Sequence, residues 1–190
     1  MSDRLLQWRG MKKLLLLLPL LTACAPVLMA KNPTSFQIGQ SWKVTSQSKL
    51  KDLIPLTTTF SVLKSAVNKD GDWETSGRSS NGAVYALYLT DSATMLVVDT
   101  SPYLNGNKHL RVCAFNAEMP GSRYAGYASH PTSDKLLSVN GDAFADTARA
   151  RAKLLLDKAG DTSDLSEITT RALAEAIDPN DVSACTLERL

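Results

Sequence analysis

The chain has 190 residues, 44 % hydrophobic and 21 % charged, with 21 Lys and Arg against 19 Asp and Glu. That length suits one domain with a sizeable core, and a nearly balanced charge without basic runs excludes the electrostatic footprint of a nucleic-acid binder or a polybasic membrane-surface protein. The two histidines, His109 and His130, are far apart, no Cys or His pair has zinc spacing, and no phosphate-cradling glycine loop or nucleotide fingerprint occurs, so neither metal nor cofactor is expected.

The first segment with a clear reading is residues 12–24. The pair Lys12-Lys13, the apolar run Leu14–Leu21 and the small residues Thr22 and Ala23 before Cys24 form the parts of a bacterial export signal. Leu14–Leu21, interrupted by Pro19, falls far short of the about 20 residues that span a bilayer. Leu21-Thr22-Ala23-Cys24 resembles the lipobox of bacterial lipoproteins, in which the cysteine is lipidated and becomes residue one. The resemblance covers only these first two dozen residues. It implies a signal peptide over 1–23, fatty acyl chains such as palmitate on Cys24, and a membrane anchor in the cell envelope. Two or more chains, at about 0.8 kcal/mol per buried methylene, anchor a protein durably. Ala25, in place of an aspartate, points to the outer membrane where the cell has one. Leu28-Met29-Ala30 offers a competing cleavage site after Ala30, and Met11 competes with Met1 as the start without altering the mature protein.

Removing residues 1–23 from the 190 leaves 167 and takes Arg4, Arg9, Lys12, Lys13 and Asp3 away, so 17 basic and 18 acidic side chains remain. Residues 24–37, with Pro26, Lys31, Asn32, Pro33 and Thr34, lack sustained periodicity and read as the lipidated end and a tether. Residues 38–190 read as one globular domain.

From Gln40 to about Asn140, β-branched and aromatic residues occur in short runs separated by turn residues, the pattern of antiparallel strands. Trp42, Val44 and Ser46 alternate with Lys43 and Thr45 in a first, half-exposed strand. Residues 57–67 and 73–79 flank a hairpin turn at Asn68–Asp72, where Gly71 permits a positive φ. Residues 83–89 and 94–100 are apolar in both phases, which places them centrally and requires a second layer. His109–Asn116 and Tyr124–Ser129 follow, and Leu136, Leu137 and Val139 suggest a last edge strand.

The C-terminal third is helical. Asp142–Lys158 carries Phe144, Ala148, Leu155 and Ala159 on one face, and Gly160 stops it. Asp164–Ile177 carries the stripe Leu165, Ile168, Ala172, Leu173, Ala176 and Ile177, with Thr162 and Ser163 as caps and Pro179 as terminator. The predicted fold is α+β: an antiparallel β-sheet meander of about six to seven strands followed by two C-terminal helices packed on the sheet. Cys113 and Cys185 are expected to pair in an exported protein. Cys113 shares a phase with Arg111, opposite to Leu110, Val112 and Ala114, so a tail folded over that face can bring Cys185 to it.

Motifs for chemistry are few. Ser-x-x-Lys occurs at Ser46/Lys49, Ser48/Lys51 and Ser61/Lys64, but the accompanying Ser-Asp-Asn and Lys-Thr-Gly elements are missing and the serines fall on strands or loops, not at a helix start. Asn68, Asp70, Asp72 and Glu74 gather oxygen ligands, yet aligning Gly71 with the sixth position of a calcium loop puts Ala66 first and Gly77 twelfth, where carboxylates are needed. A ligand-binding surface is suggested by Tyr103, Arg123, Tyr124, Tyr127 and His130, which suit a glycan or an envelope protein partner. The expected function is a lipid-anchored envelope lipoprotein with a non-catalytic binding or structural role. The alternatives are a lipocalin-like carrier of an apolar ligand, which requires a closed barrel with an apolar lumen and a polar exterior, and an envelope hydrolase, which requires Ser, His and a carboxylate to converge.

Overall fold

The computed structural model describes residues 36–47, 56–67, 73–89, 94–101, 103–104, 107–117, 121–138, 141–159 and 164–190. The signal segment, Cys24, the turn at 68–72 and the caps expected at 162–163 lie outside the described residues.

Seven strands run up and down in chain order: β1 (Ser41–Ser46), β2 (Leu56–Val67), β3 (Trp73–Ser79), β4 (Ala83–Leu89), β5 (Thr94–Asp99), β8 (Arg111–Asn116) and β9 (Arg123–Ser129). A two-residue pair, β6 (Tyr103–Leu104) with β7 (Asn107–Lys108), lies between β5 and β8. The helices α1 (Ser133–Leu137), α2 (Gly141–Ala159) and α3 (Leu165–Ile177) come next, and β10 (Val182–Arg189) ends the chain. β10 pairs antiparallel with both β9 and β1, and β1 also pairs with β2. The sheet therefore closes into an eight-stranded barrel in the order β1-β10-β9-β8-β5-β4-β3-β2, and its closure leaves no open edge to recruit another chain.

Two expectations are corrected here. The helices do not end the chain, because a final strand follows them and supplies the missing stave. Its alternation is legible afterwards: Cys185 and Leu187 are buried while Ala184 is exposed and Thr186 and Glu188 are half-buried. Residues 136–137, expected on an edge strand, belong to α1, which Thr132 caps by accepting a hydrogen bond from the Lys135 N–H.

Strand alternation sorts side chains into two apolar layers. The inward phase buries Trp42, Val44, Phe60, Val62, Val84, Ala86, Met95, Val97, Cys113, Phe115, Ala128, Cys185 and Leu187 in one cluster inside the barrel. The outward phase of β5 and β8 (Leu96, Val98, Val112 and Ala114) packs instead against Phe144 and Ala145 of α2 and Leu173 and Ile177 of α3. Hence every residue of β5 is buried. The second layer demanded by apolarity on both faces is real, but the sheet it covers is rolled shut. Burying Leu173 and Ile177 against this flank contributes about 2 kcal/mol each. Ala152, Ile168 and Ala172 hold α2 to α3, with Leu155 and Leu156 beside them. Leu165, expected on the apolar stripe, is exposed.

Before β1, Phe36 is buried and stacks on Trp42 at 4.6 Å, so a residue of the segment expected to be tether is packed into the fold. Gly39, at φ 87°, makes the turn between them and donates its N–H to the Val62 carbonyl. A bulge between Val62 and Lys64 breaks the β2–β3 register, and beside it Leu63 faces solvent.

Cys113 and Cys185 form a disulfide with their Cα atoms 6.3 Å apart. It bridges β8 to β10 across the intervening β9. Cys113 is registered against Ala128 and Cys185 against Gly126. Two small residues on the inward phase of β9 leave room for the bridge. The sulfurs meet inside the barrel, not under a folded-over tail, because the Arg111–Cys113–Phe115 phase is the inward one.

Candidate functional site

Charged and polar side chains gather where β1, β5, β8, β9 and β10 meet at one end of the barrel. Ser46 closes β1, Asp99 closes β5, Arg111 opens β8, His130 follows β9 and Asp181 precedes β10. All five are 2 % exposed or less. Each continues the inward phase of its strand, so the same alternation that fills the barrel with apolar groups carries these to its end.

They form one connected chain. Arg111 Nη2 lies 2.5 Å from Asp99 Oδ2, and the other Asp99 oxygen accepts the Ser101 N–H at 2.9 Å. Arg111 Nη1 donates to the Leu56 carbonyl and, at 3.3 Å, to Ser46 Oγ. Ser46 Oγ is 3.1 Å from His130 Nε2. His130 Nδ1 is 2.9 Å from Asp181 Oδ2, off the line of an aligned hydrogen bond, so that contact is mainly electrostatic. The His130 carbonyl accepts from His109 Nδ1 at 2.7 Å, which fixes the backbone that carries the ring.

A guanidinium has donors only, so its contact uses one lone pair on Ser46 Oγ and leaves that hydroxyl its proton and a second lone pair with which to meet His130 Nε2. In the tautomer whose ring proton sits on Nδ1, facing the Asp181 carboxylate, Nε2 accepts from Ser46. Burial holds the Arg111 guanidinium below its ordinary range, and Asp99 offsets part of that shift by charge and hydrogen bond. Arg111 Nε and Trp42 Nε1 are buried donors with no partner among the described residues.

Of the five residues expected to share a ligand surface, the four whose side chains are described point different ways. Tyr103 falls in the short β6 strand. Arg123 is exposed at the start of β9. Tyr124 points inward, stacks with Trp42 at 6.2 Å and accepts the Gly121 N–H at its hydroxyl at 2.9 Å. Tyr127 faces outward, donates to Glu167 Oε1 at 2.5 Å and carries Arg171 5.9 Å from its ring centroid. That hydrogen bond, with some burial, raises the Tyr127 pKa above its ordinary value. Only His130 belongs to the buried polar chain.

Sequence reasoning missed Ser46, Asp99, Arg111 and Asp181 as a group. The available signal was phase: Asp99 ends the run Met95–Val98 in step with Met95 and Val97, and Arg111 is in step with Cys113 and Phe115. Among the described residues no group of three or more His, Cys, Asp or Glu side chains is placed to hold a metal ion, and no helix is long and apolar enough to cross a membrane. No family model matches the chain, and no curated protein or solved structure is significantly similar to it.

Proposed function

We propose that this chain is an exported, lipid-tethered barrel that binds a small, mainly apolar ligand bearing a hydrogen-bond acceptor, a lipocalin-like carrier of the cell envelope. The observation that carries this reading is the closed eight-stranded antiparallel barrel with an apolar inward phase. Barrels of this size have an interior that side chains fill or that holds one small ligand. Trp42 Nε1 adds support, since a buried donor left unpaired costs about 1–3 kcal/mol that a ligand carbonyl or ether oxygen inside the barrel would recover. The disulfide is in keeping with an oxidising compartment. The run Lys12–Cys24 supplies export and anchorage.

A second reading rests on the completeness of inward burial at Trp42, Phe60, Met95, Phe115 and Leu187. A filled barrel acts through its outer surface, as a non-catalytic envelope component that engages a protein or glycan. The two separate in one experiment. The protein is purified in detergent from envelopes, extracted with organic solvent, and titrated with a fluorescent apolar probe while tryptophan emission, from Trp42 and Trp73, is followed. The carrier reading expects an extractable molecule in near-equal amount and saturable binding weakened in Trp42→Phe. An empty extract without saturable binding overturns it in favour of the surface reading. Intact mass of the same sample tests the anchor, which requires acyl mass on Cys24, absent in Cys24→Ser.

A further inference from the structure

We propose that Ser46 is a serine nucleophile, activated by His130 and Asp181, that cleaves small carboxylic esters at the polar end of the barrel. This goes beyond the carrier reading and does not depend on it. Ser46 and His130 are 84 residues apart in sequence and Asp181 lies on the far side of three helices, yet the fold sets them in the order that nucleophilic hydrolysis uses. The serine hydroxyl faces an imidazole nitrogen at 3.1 Å and the second nitrogen faces a carboxylate at 2.9 Å. His130 Nδ1 and Asp181 are not aligned as a hydrogen bond in the free protein, an alignment that catalytic pairs complete when substrate binds.

The cation beside the attacking atom is Arg111, whose Nη1 is 3.3 Å from Ser46 Oγ and also donates to the Leu56 carbonyl; its role in the proposed reaction is to meet the oxyanion formed when Oγ adds to a carbonyl carbon. In the first half-reaction Oγ attacks the ester carbonyl as its proton passes to His130 Nε2. The resulting imidazolium is stabilised by Asp181, and the oxyanion by Arg111. Collapse of the adduct expels the alkoxide, which takes the proton from Nε2 and leaves as alcohol, with the acyl group on Ser46. Water then attacks the acyl carbon, gives its proton to Nε2, and the acid departs as Ser46 regains that proton. The sum is ester plus water to acid plus alcohol.

The test uses the full, envelope-purified protein, treated with a small fluorophosphonate and, separately, with p-nitrophenyl acetate. The expected result is a single phosphonyl adduct mapped to Ser46 by peptide mass spectrometry, with ester turnover that it abolishes. Ser46→Ala loses the adduct, and His130→Gln lowers ester turnover about a hundredfold with the far-UV spectrum and the disulfide intact. Absence of an adduct on the unmutated protein, or an adduct on any other residue, overturns the proposal regardless of how the variants fold.

Discussion

Replacing Asp99 with alanine tests the buried polar end most directly, because it leaves the Arg111 guanidinium without its counter-ion inside a protein end where neither group is more than 1 % exposed. Removing one partner of a buried ion pair costs about 3–5 kcal/mol, and the Ser101 N–H loses its acceptor as well. The Leu56 carbonyl and Ser46 still accept from Arg111, so the guanidinium is partly solvated by protein and the expected loss is about 4 kcal/mol. With a urea m-value of about 2 kcal/mol/M, that moves the midpoint down by about 2 M. The direction of the Arg111 shift, set first by desolvation, shows that burial opposes the charge. The double replacement Asp99→Val with Arg111→Met is therefore expected to cost about 1 kcal/mol or less, while Arg111→Met alone costs several. The assay is equilibrium urea unfolding of the oxidised protein followed by tryptophan fluorescence and far-UV circular dichroism, whose coincidence establishes two-state behaviour. A loss below about 1 kcal/mol in Asp99→Ala, or additive effects in the double variant, refutes the view of this end as a coupled charge network.

Other expectations follow from single features of the barrel. Reducing the disulfide, which closes a loop of 72 residues' separation, is expected to destabilise the domain by about 4 kcal/mol on the chain-entropy model, read as a fall in urea midpoint with dithiothreitol. Gly126→Ala would put a Cβ 1.9 Å from the Ala114 carbonyl oxygen, so β8 and β9 must separate; a loss above about 3 kcal/mol is expected in the same assay. Asp164→Ala removes the α3 cap accepted from the Ser166 N–H and is expected to cost about 1 kcal/mol. Because hydrogen bonds from Ser166 lower the Asp164 pKa, the cap contributes above the ordinary carboxylate range and is lost as pH falls through its folded value, in the acid limb below about pH 4. Tyr127 shows the opposite sign. Its raised pKa means that the neutral phenol holding Glu167 contributes below about pH 10 and is lost as pH rises through the folded value. Absorbance titration at alkaline pH should show Tyr127 ionising late, and Glu167→Gln should bring it back toward the ordinary tyrosine range.

Much of the barrel is legible in the sequence because strand alternation is a local signal. The residues of β1 to β5, β8 and β9 announce themselves by phase and by the turns between them, and the α2 and α3 stripes by their spacing. Closure is not local. Whether a row of antiparallel strands ends in two edges or in none depends on one late segment finding β1, and Val182–Arg189 has too few β-branched and aromatic residues to stand out. The same limit governs the polar end. Each of Ser46, Asp99, Arg111, His130 and Asp181 looks ordinary in its own stretch, and Asp181 sits in a loop-like run after Pro179. Only when β10 enters between β1 and β9 do Ser46, His130 and Asp181 become neighbours.

The apolarity of β5 illustrates how a correct inference about burial can be satisfied by more than one topology, whereas β4, expected to be covered on both faces too, leaves its outward Tyr85 exposed and contributes nothing to the helix-covered layer. Two apolar phases require cover on both sides, and an open sheet would take helices on one face and a further layer on the other. Here the second cover is the opposite wall of the barrel itself, so Val97 and Cys113 meet Phe60 and Leu187 in one cluster while Leu96 and Val112 meet the helices in another. The arrangement has a consequence for the polar end. A rolled sheet converges its inward phases from all sides onto a small cross-section, so charged residues that finish those phases are forced together and out of water. In an open sheet the same residues would be spread along an edge and hydrated. The cost of burying Asp99 with Arg111, and Asp181 with His130, is thus a direct result of closure. At Asp99 and Arg111 it is met by reciprocal pairing, which is why removing a single member of that pair is expected to be worse than removing both.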